Sequence, residues 1–586
     1  MPVAFTGHTP QHQPDLQPVA PGPYVPDPPR ALPFPVAESS LCQQAVQTLD
    51  LLPGVSAQLV GSSGESDPFL LRHCKFDDYG FLNFHQVRLR NAGGVPWNEK
   101  IPVHYLVTDD ALCEAASTRG ARQYPSPRQE LDALVPVEHG QRLLSLFLSH
   151  VWPSLPIVST FIASEEIRSI PVHLMAALYA SALPFAKFDD SLSIVYAYQP
   201  APTSQLWRLT LDLVQEEMHR PHLSVLQAGL LYLHRPSETS QEAAVADSPF
   251  VWSFVGMMVG LAMTLGLQLE CRPMGMPLWE RRLRRRLWWA IYSEDKWRAL
   301  LGGRPPYINE YEWDVTDIDE DDFEAAPSER FILVVKLARI ADEIQSSLYS
   351  LRAAQRLSSN FAQSLQISRI LLRKLQEWFS LVPLSTADGS RSPDLPSSVH
   401  FAYLLLEVFV FRALLRPMVP NKPPPRLIDE SEEIPLFPDF TVDDYLAQII
   451  GDESITGEIP ATTVAADDRS MPMVLNAAEN SAANILRLIS RIDIAEMGSF
   501  WYSWCRIGFA TVSNFMLLLL VQAPSAEHAI RAKRLVYGWQ QALRSRSQGW
   551  NMVDLGLVRL NGPLGMGVGN VFYLPSHVQD VLDSVG

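Results

Sequence analysis

The sequence predicts an all-α fold: a large multi-helix array with a disordered N-terminal tail and an acidic, proline-rich insertion. Three observations lead there. From about residue 140 the apolar residues recur with the 3.6-residue helical period rather than the two-residue period of strands. Glycine-punctuated alternation is scarce beyond that point, and no internal repeat is visible. The chain of 586 residues is 47% hydrophobic and 19% charged, enough apolar material for a sizeable core and incompatible with wholesale disorder.

Taken in order, residues 1–40 hold eleven prolines and one arginine. Proline fixes φ and removes donors, so an extended, solvated tail is expected. Residues 41–135 read as an irregular region with a few short elements, among them an apolar alternation near 81–89 and a Gly/Ser turn at 61–67. Residues 136–417 read as a helical domain. Leu143, Leu144, Phe147 and Val151 form one face, stopped at Trp152-Pro153. Leu206, Leu209, Leu213 and Met218 form a second, and Leu333, Leu337, Ile340, Ile344, Leu348 and Leu351 a third. Residues 418–470 form an acidic, proline-rich linker. Residues 471–575 return to helical texture as part of the same domain.

Within that linker, residues 429–453 carry nine acidic and no basic side chains, interleaved with apolar groups that include Phe437, Phe440, Tyr445 and Leu446. Repulsion keeps such a stretch open while its apolar groups stay available, the composition of an activation segment. A plain surface insertion has the same appearance.

Two uncharged runs, 248–269 and 507–526, are 22 and 20 residues long, enough to span a bilayer as helices. The first contains the small-xxx-small pattern Gly256 to Gly260. Ser253, Thr264, Gly266 and Gln268 dilute one run, and Ser513, Asn514 and Gln522 the other. Neither has an aromatic belt at both ends, so interior helices are expected and no membrane.

Charge and cysteine content narrow the chemistry. Lys plus Arg is 47 against 64 Asp plus Glu, a net charge of −17, which opposes non-specific contact with phosphate backbones. The five cysteines (Cys42, Cys74, Cys113, Cys271, Cys505) stand at least 32 positions apart, so no zinc site can be assembled from local spacing. Their sparse use suits a reducing compartment, and the N-terminus shows no secretory pattern.

One basic run stands out. In 280–289 (ERRLRRRLWW) Leu283, Leu287 and Ile291 share a helix face, leaving Arg281, Arg282, Arg284, Arg285 and Arg286 on the other. Three uses compete: a solvated face paired with the acids of 314–324, a nuclear-import or partner-binding patch, and direct phosphate contact. The carboxylates of that acid run, Asp317 and Asp321 among them, and the pair Asp189-Asp190 raise an alternative, a helical metal-dependent enzyme of the prenyl-diphosphate type. Other enzyme signatures are missing: no phosphate loop, H-E-x-x-H or G-x-S-x-G occurs. His219 and His222 flank the helix-breaking Pro221 and are expected on the surface. Gly565, Gly567 and Gly569 read as a turn.

Several of these stretches together resemble the fungal-specific transcription factor domain, the "middle homology region" found behind zinc-binuclear-cluster DNA-binding modules. They are residues 260–267 (GLAMTLGL), Trp279-Glu280, residues 284–289 (RRRLWW), Tyr292, Asp295, and Gly303-Arg304-Pro305-Pro306 with Ile308. Residues 147–158 (FLSHVWPSLPIV), 226–233, 400–417, 500–520 and 542–559 extend the likeness over about 140–575. The resemblance implies a nuclear, non-enzymatic transcriptional regulator of RNA polymerase II genes, metabolic ones in particular. Its partners would be other transcription factors or co-activators, with a homo- or heterodimer as its assembly. The family's DNA-binding module needs six cysteines holding two zinc ions, a pattern this sequence lacks. Direct DNA contact is therefore in doubt, and zinc is expected only with such a module. Burial of Leu287 and one of Trp288 and Trp289 would anchor the motif helix, with Gly302-Gly303 as its left-handed stop and Pro305-Pro306 barring continuation.

Overall fold

The helical faces read from the sequence close on one another in the computed structural model. It describes residues 48–50, 54–60, the strands between 81 and 110, and most of 126–416 and 470–584. Strands β1 (Val55–Val60), β2 (Phe81–Leu82), β3 (Val87–Arg90) and β4 (Val103–Asp109) precede the helices. Helices of seven or more residues then run α1 (Pro127–Leu134), α2 (Val137–His150), α3 (Val172–Ala182), α4 (Asp190–Tyr198), α5 (Thr203–Glu217), α6 (Leu223–Leu233), α7 (Pro249–Thr264) and α8 (Leu278–Gly302). They continue as α9 (Glu329–Ile344), α10 (Leu351–Leu357), α11 (Phe361–Ser380), α12 (Ser397–Leu415), α13 (Ser470–Arg491), α14 (Cys505–Val521), α15 (Ala526–Ser547), α16 (Asp554–Met566) and α17 (Ser576–Asp583). The tail 1–40 and the segment holding Phe437, Phe440, Tyr445 and Leu446 lie outside the described residues.

The sequence supplies conventional helix starts. Ser126 and Gln129 form a capping box at α1, and Ser328, Asn360 and Ser525 each accept a backbone N–H at the starts of α9, α11 and α15. α8 ends where Gly303 takes φ 62°, the left-handed stop expected of it. The third apolar face is shorter than its periodicity implies. After Ile344 the helix widens into a π-turn, Gln345–Tyr349, and Ser350 turns extended to cap α10. Leu348 is fully buried, but Leu351, one residue past that break, is 83% exposed.

One apolar cluster runs through the helices on both sides of 417–469. α3 packs against α2, α5 and α6; α8 packs against α6, α7 and α9. α12 meets α9, α11, α13 and α14, and α14 is covered by α15 and α16. The two uncharged runs become α7 and α14, both packed into this core. The one helix among the described residues long and apolar enough to cross a bilayer is α12, and 89% of its apolar window is buried inside the protein.

Residues 48–110 are more regular than the sequence suggests. The four strands form an antiparallel sheet ordered β1-β4-β3-β2, with Val55 opposite Asp109 and Val87 opposite Leu106. It has its own small core, in which Leu49, Ala57 and Tyr105 meet Cys271, Met274 and Met276 between α7 and α8. Tyr105 enters because residue 266 is glycine: a Cβ there would lie 2.4 Å from the phenol oxygen, and φ is +74°. The same strap fixes His222, which is half-buried rather than on the surface. Its Nδ1–H donates to the Asp50 carbonyl at 3.2 Å, and the Asp50 carboxylate accepts the Leu223 N–H at 2.7 Å. Burial works against its charge, but Asp50 outweighs burial and holds the imidazole above its ordinary pKa. His219 remains exposed.

α12 and α13 flank the segment outside the described residues, and a half-buried carboxyl ties them together. Tyr403 donates to Glu407 at 2.9 Å and Ser481 of α13 donates at 3.2 Å. Burial raises the Glu407 pKa from 4.5 to about 7, against the two hydrogen bonds. The folded protein therefore holds a proton that the unfolded chain has released. The stability this gives is complete below pH 4.5 and lost as pH rises towards 7, a change on the order of a few kcal/mol. Glu407→Gln should gain on the native protein as pH rises, with melting temperatures nearly equal at pH 5 and separated at pH 8. An unchanged difference between the two pH values would show that Glu407 does not titrate in this range.

Candidate functional site

α8 carries most of the family-like residues, and its first half holds the basic run. Amphipathicity alone would place its arginines in water. Instead every residue from Leu283 to Leu300 is buried, and both Trp288 and Trp289 are fully enclosed. The expected patch of Arg281, Arg282, Arg284, Arg285 and Arg286 is therefore not a surface. Arg284, Arg285 and Arg286 are 3%, 1% and 0% exposed, and only Arg281 and Arg282 are half-exposed.

Burying a guanidinium costs several kcal/mol unless its charge and donors are matched, and here each charge is matched, with Arg286 Nε a buried donor left over. Arg285 donates through Nε to Asp322 at 2.6 Å, through Nη1 to Glu270 and Thr316, and through Nη2 to the carbonyls of Thr316 and Asp317. Arg286 grips Glu324 with both terminal nitrogens at 2.8 and 2.9 Å and also reaches the Asp322 carbonyl. Arg284 pairs with Glu280 one turn back at 2.8 Å and donates to the Leu265 carbonyl at 2.7 Å. Glu280, with no side-chain exposure, also accepts Thr48 at 2.5 Å and the Leu49 N–H at 3.3 Å, binding the N-terminal strap to α8. Burial opposes the Glu270 charge, yet hydrogen bonds from Thr316 and Arg272 and the nearby Arg285 bring its pKa below the ordinary value.

The second half of α8 repeats the pattern. Asp295 accepts the N–H groups of Tyr307 and Ile308 at 2.8 and 3.0 Å, which folds the Gly303-to-Ile308 loop back onto its own helix. Burial is the largest influence on Asp295 and raises its pKa. Tyr292 and Lys296 both reach Asp342 of α9, each at 3.1 Å. Arg298 pairs with Glu294 at 2.7 Å and Asp247 at 3.2 Å. Glu294 also faces His234 Nε2 at 3.0 Å. The Ser503 N–H donates to Nδ1, which leaves the ring proton on Nε2, close to Glu294 but outside hydrogen-bonding geometry. Burial raises the Glu294 pKa, but His234 and Arg298 prevail and bring it to about 2. The resemblance found the motif residues, but Glu270, Glu294, Lys296 and Arg298 carry no earlier signal except opposite charges at i, i+4 on a tryptophan-rich helix: Glu280 with Arg284, Glu294 with Arg298.

The metal-dependent enzyme alternative loses its ligands in this geometry. Asp317 is exposed and pairs with Arg339, while Asp321 offers its backbone carbonyl to Arg282. Asp189 caps α4 through the N–H groups of Ser191 and Leu192 and meets Arg142 at 3.0 Å; Leu192 leads the groups that lower its pKa. Asp190 is exposed. Among the described residues no three His, Cys, Asp or Glu side chains are placed to share a metal ion. Gly567, at φ 84°, forms the turn after α16.

These contacts define an α-helical domain wound around one buried, internally neutralised helix. Comparison narrows this further: residues 144–380 match the fungal specific transcription factor domain. Similar proteins include the transcriptional activator protein DAL81 of Saccharomyces cerevisiae, 26% identical over 340 residues, covering 49% of this chain and 34% of that protein. An uncharacterized transcriptional regulatory protein of Schizosaccharomyces pombe is 27% identical over 315 residues, covering 52% and 46%. Cutinase transcription factor 1 beta of Fusarium vanettenii is 25% identical over 189 residues, covering 31% and 21%. The chain thus spans less than half the length of these relatives. No solved structure matches it.

The charge pairing separates two kinds of arginine on one helix. Arg285→Ala leaves Asp322 and Glu270 without their shared partner and should cost about 3–5 kcal/mol. Arg282→Ala, on the half-exposed rim, should cost about 0.5 kcal/mol or less. Chemical denaturation of the two variants checks this, and equal losses would refute the distinction.

Proposed function

We propose that the chain is a nuclear, non-enzymatic transcriptional regulator of RNA polymerase II genes, acting through partner proteins rather than by its own contact with DNA. The observation that carries the reading is the match of 144–380 to the fungal specific transcription factor domain, whose motif residues are the ones that close α8 on itself and its neighbours. The names of the relatives, transcriptional activators and regulatory proteins, support it. So does charge: the chain is −17 overall, and three arginines of its most basic run are spent on internal carboxylates. Nuclear entry in this reading relies on a basic stretch other than 281–286, or on a partner that carries the chain in.

The output element of this regulator is the stretch 429–453, with Phe437, Phe440, Tyr445 and Leu446 as its apolar contacts to a co-activator. It is tethered between α12 and α13, which pack side by side and are joined through Glu407 and Ser481. The helical body in this reading is a rigid root that presents the stretch to co-activators or to other transcription factors. Assembly as a homo- or heterodimer would bring in a DNA-binding partner.

Residues 425–465 fused to a heterologous DNA-binding domain should activate a reporter, and alanine at Phe437, Phe440, Tyr445 and Leu446 together should remove most of that activity. A silent fusion would eliminate this stretch as the output element. Loss of the full chain with no change in any transcript would eliminate the regulatory reading itself.

A further inference from the structure

The charges that close α8 also form the floor of an open cleft. It lies where the ends of α3 and α6 and the start of α7 meet residues 497–506 and the turn before α16, and it holds about 350 Å³. That is the scale of a small-molecule site. Its apolar wall is aromatic: Phe500 lies beside Trp501, which stands edge-on to Trp550 at 4.8 Å. On the floor, Arg298 and Arg506 share the Asp247 carboxylate, and Arg298 is further balanced by Glu294, so these two guanidinium groups are internally satisfied.

Two other cations of the cleft are not. Lys187 and Arg235 line it without a carboxylate partner among the described residues. Lys187 Nζ lies 5.1 Å from the Phe188 ring centre, and the Arg235 guanidinium lies 4.2 Å from that of Tyr232 and donates to the Tyr232 carbonyl. Lys187 extends over bare backbone, because a Cβ at residue 498, a glycine, would stand 2.7 Å from Nζ. The cleft is lined by four cations, these two with Arg298 and Arg506, against two carboxylates, Glu242 and Asp247. On a chain of net −17 that is a local reversal of sign, and a concave site focuses it.

We propose that this cleft binds a small amphipathic carboxylate, its apolar or aromatic body against Phe500, Trp501 and Trp550 and its carboxylate between Lys187 and Arg235. Charge-assisted hydrogen bonds to an ammonium and a guanidinium supply the anion selectivity, and the aromatic wall supplies affinity for the body. The inference deepens the regulatory reading by giving the helical body an effector site. Its test is a binding measurement on purified protein, so it can fail without touching the transcriptional reading, and the reverse.

The full chain is titrated by calorimetry with 3-phenylpropionate, with octanoate, with uncharged 3-phenylpropan-1-ol and with inorganic phosphate. Expected is saturable one-to-one binding of at least one carboxylate, with the alcohol and phosphate each weaker by about tenfold or more, the loss of one charge-assisted bond. The double substitution Lys187→Gln and Arg235→Gln, at exposed and half-exposed positions, should weaken the carboxylate about tenfold or more and leave the alcohol unchanged. Phe500→Ala should weaken both, its fold verified by an unchanged melting transition. Absence of saturable binding by either carboxylate, equal binding of acid and alcohol, tighter binding of phosphate, or full affinity in the double variant would overturn the proposal.

Discussion

The structure depends on keeping a highly charged helix neutral in the interior. α8 places Arg284, Arg285, Arg286, Glu294, Asp295, Lys296 and Arg298 among buried residues, and each meets a charge of opposite sign or a set of backbone groups. An apolar helix of the same volume would give comparable or greater stability, since the desolvation of buried ions consumes most of their attraction. What the ionic version adds is specificity of arrangement. Arg285 is satisfied only when Glu270 before α8 and the 316–322 loop after it arrive together, and Arg298 only when Asp247, Glu294 and Ser503 do. Register errors that an apolar interface would tolerate leave a bare ion here.

That arrangement also explains why the family-like residues cluster where they do. Tyr292 and Lys296 fix α9 through Asp342, Asp295 fixes the Gly303-to-Ile308 loop, and Glu280 fixes the N-terminal strap at Thr48 and Leu49. Trp297 stacks on Trp504 at 4.3 Å, and Arg298 donates to Ser503, so the same helix reaches the segment entering α14. One helix therefore touches the N-terminal strap, the middle helices and the C-terminal half, which is why a single apolar cluster spans all of them.

Much of the helical architecture was legible because apolar spacing is local: Leu143 to Val151 and Leu333 to Leu348 can be read without knowing their neighbours. The third face ended early because the break at Ser350 is a backbone choice, an extended residue that caps α10, and periodicity does not register such a choice. The burial of the arginine run was missed for a different reason, although its pairing with acids of 314–324 was among the uses expected. Spacing sorts residues into two faces but cannot say that both are covered, and the carboxylates that make the burial of Arg285 and Arg286 tolerable lie 15 to 38 positions away. The sheet was obscured by the same distance problem: β1 pairs with β4, beginning 48 residues later, while only the local alternation near 81–89 showed in the sequence. Of the cleft nothing was legible, since its aromatic wall and its two uncompensated cations come from four separate stretches of chain.

Internal pairing has a consequence for how the protein meets other molecules. A basic run consumed by buried carboxylates removes equal numbers of positive and negative charges from the surface, so the outward balance stays close to the full −17. Duplex DNA meeting such a surface is repelled at long range, and each phosphate contact would need a local cation that this helix has already committed. The same outward charge discriminates among proteins: it favours encounter with basic surfaces and opposes acidic ones, through association rates that fall as salt rises. In the regulatory reading proposed above, a basic partner would supply the contact with phosphate. Against such a background Lys187 and Arg235, which have no carboxylate partner among the described residues, stand as a local exception.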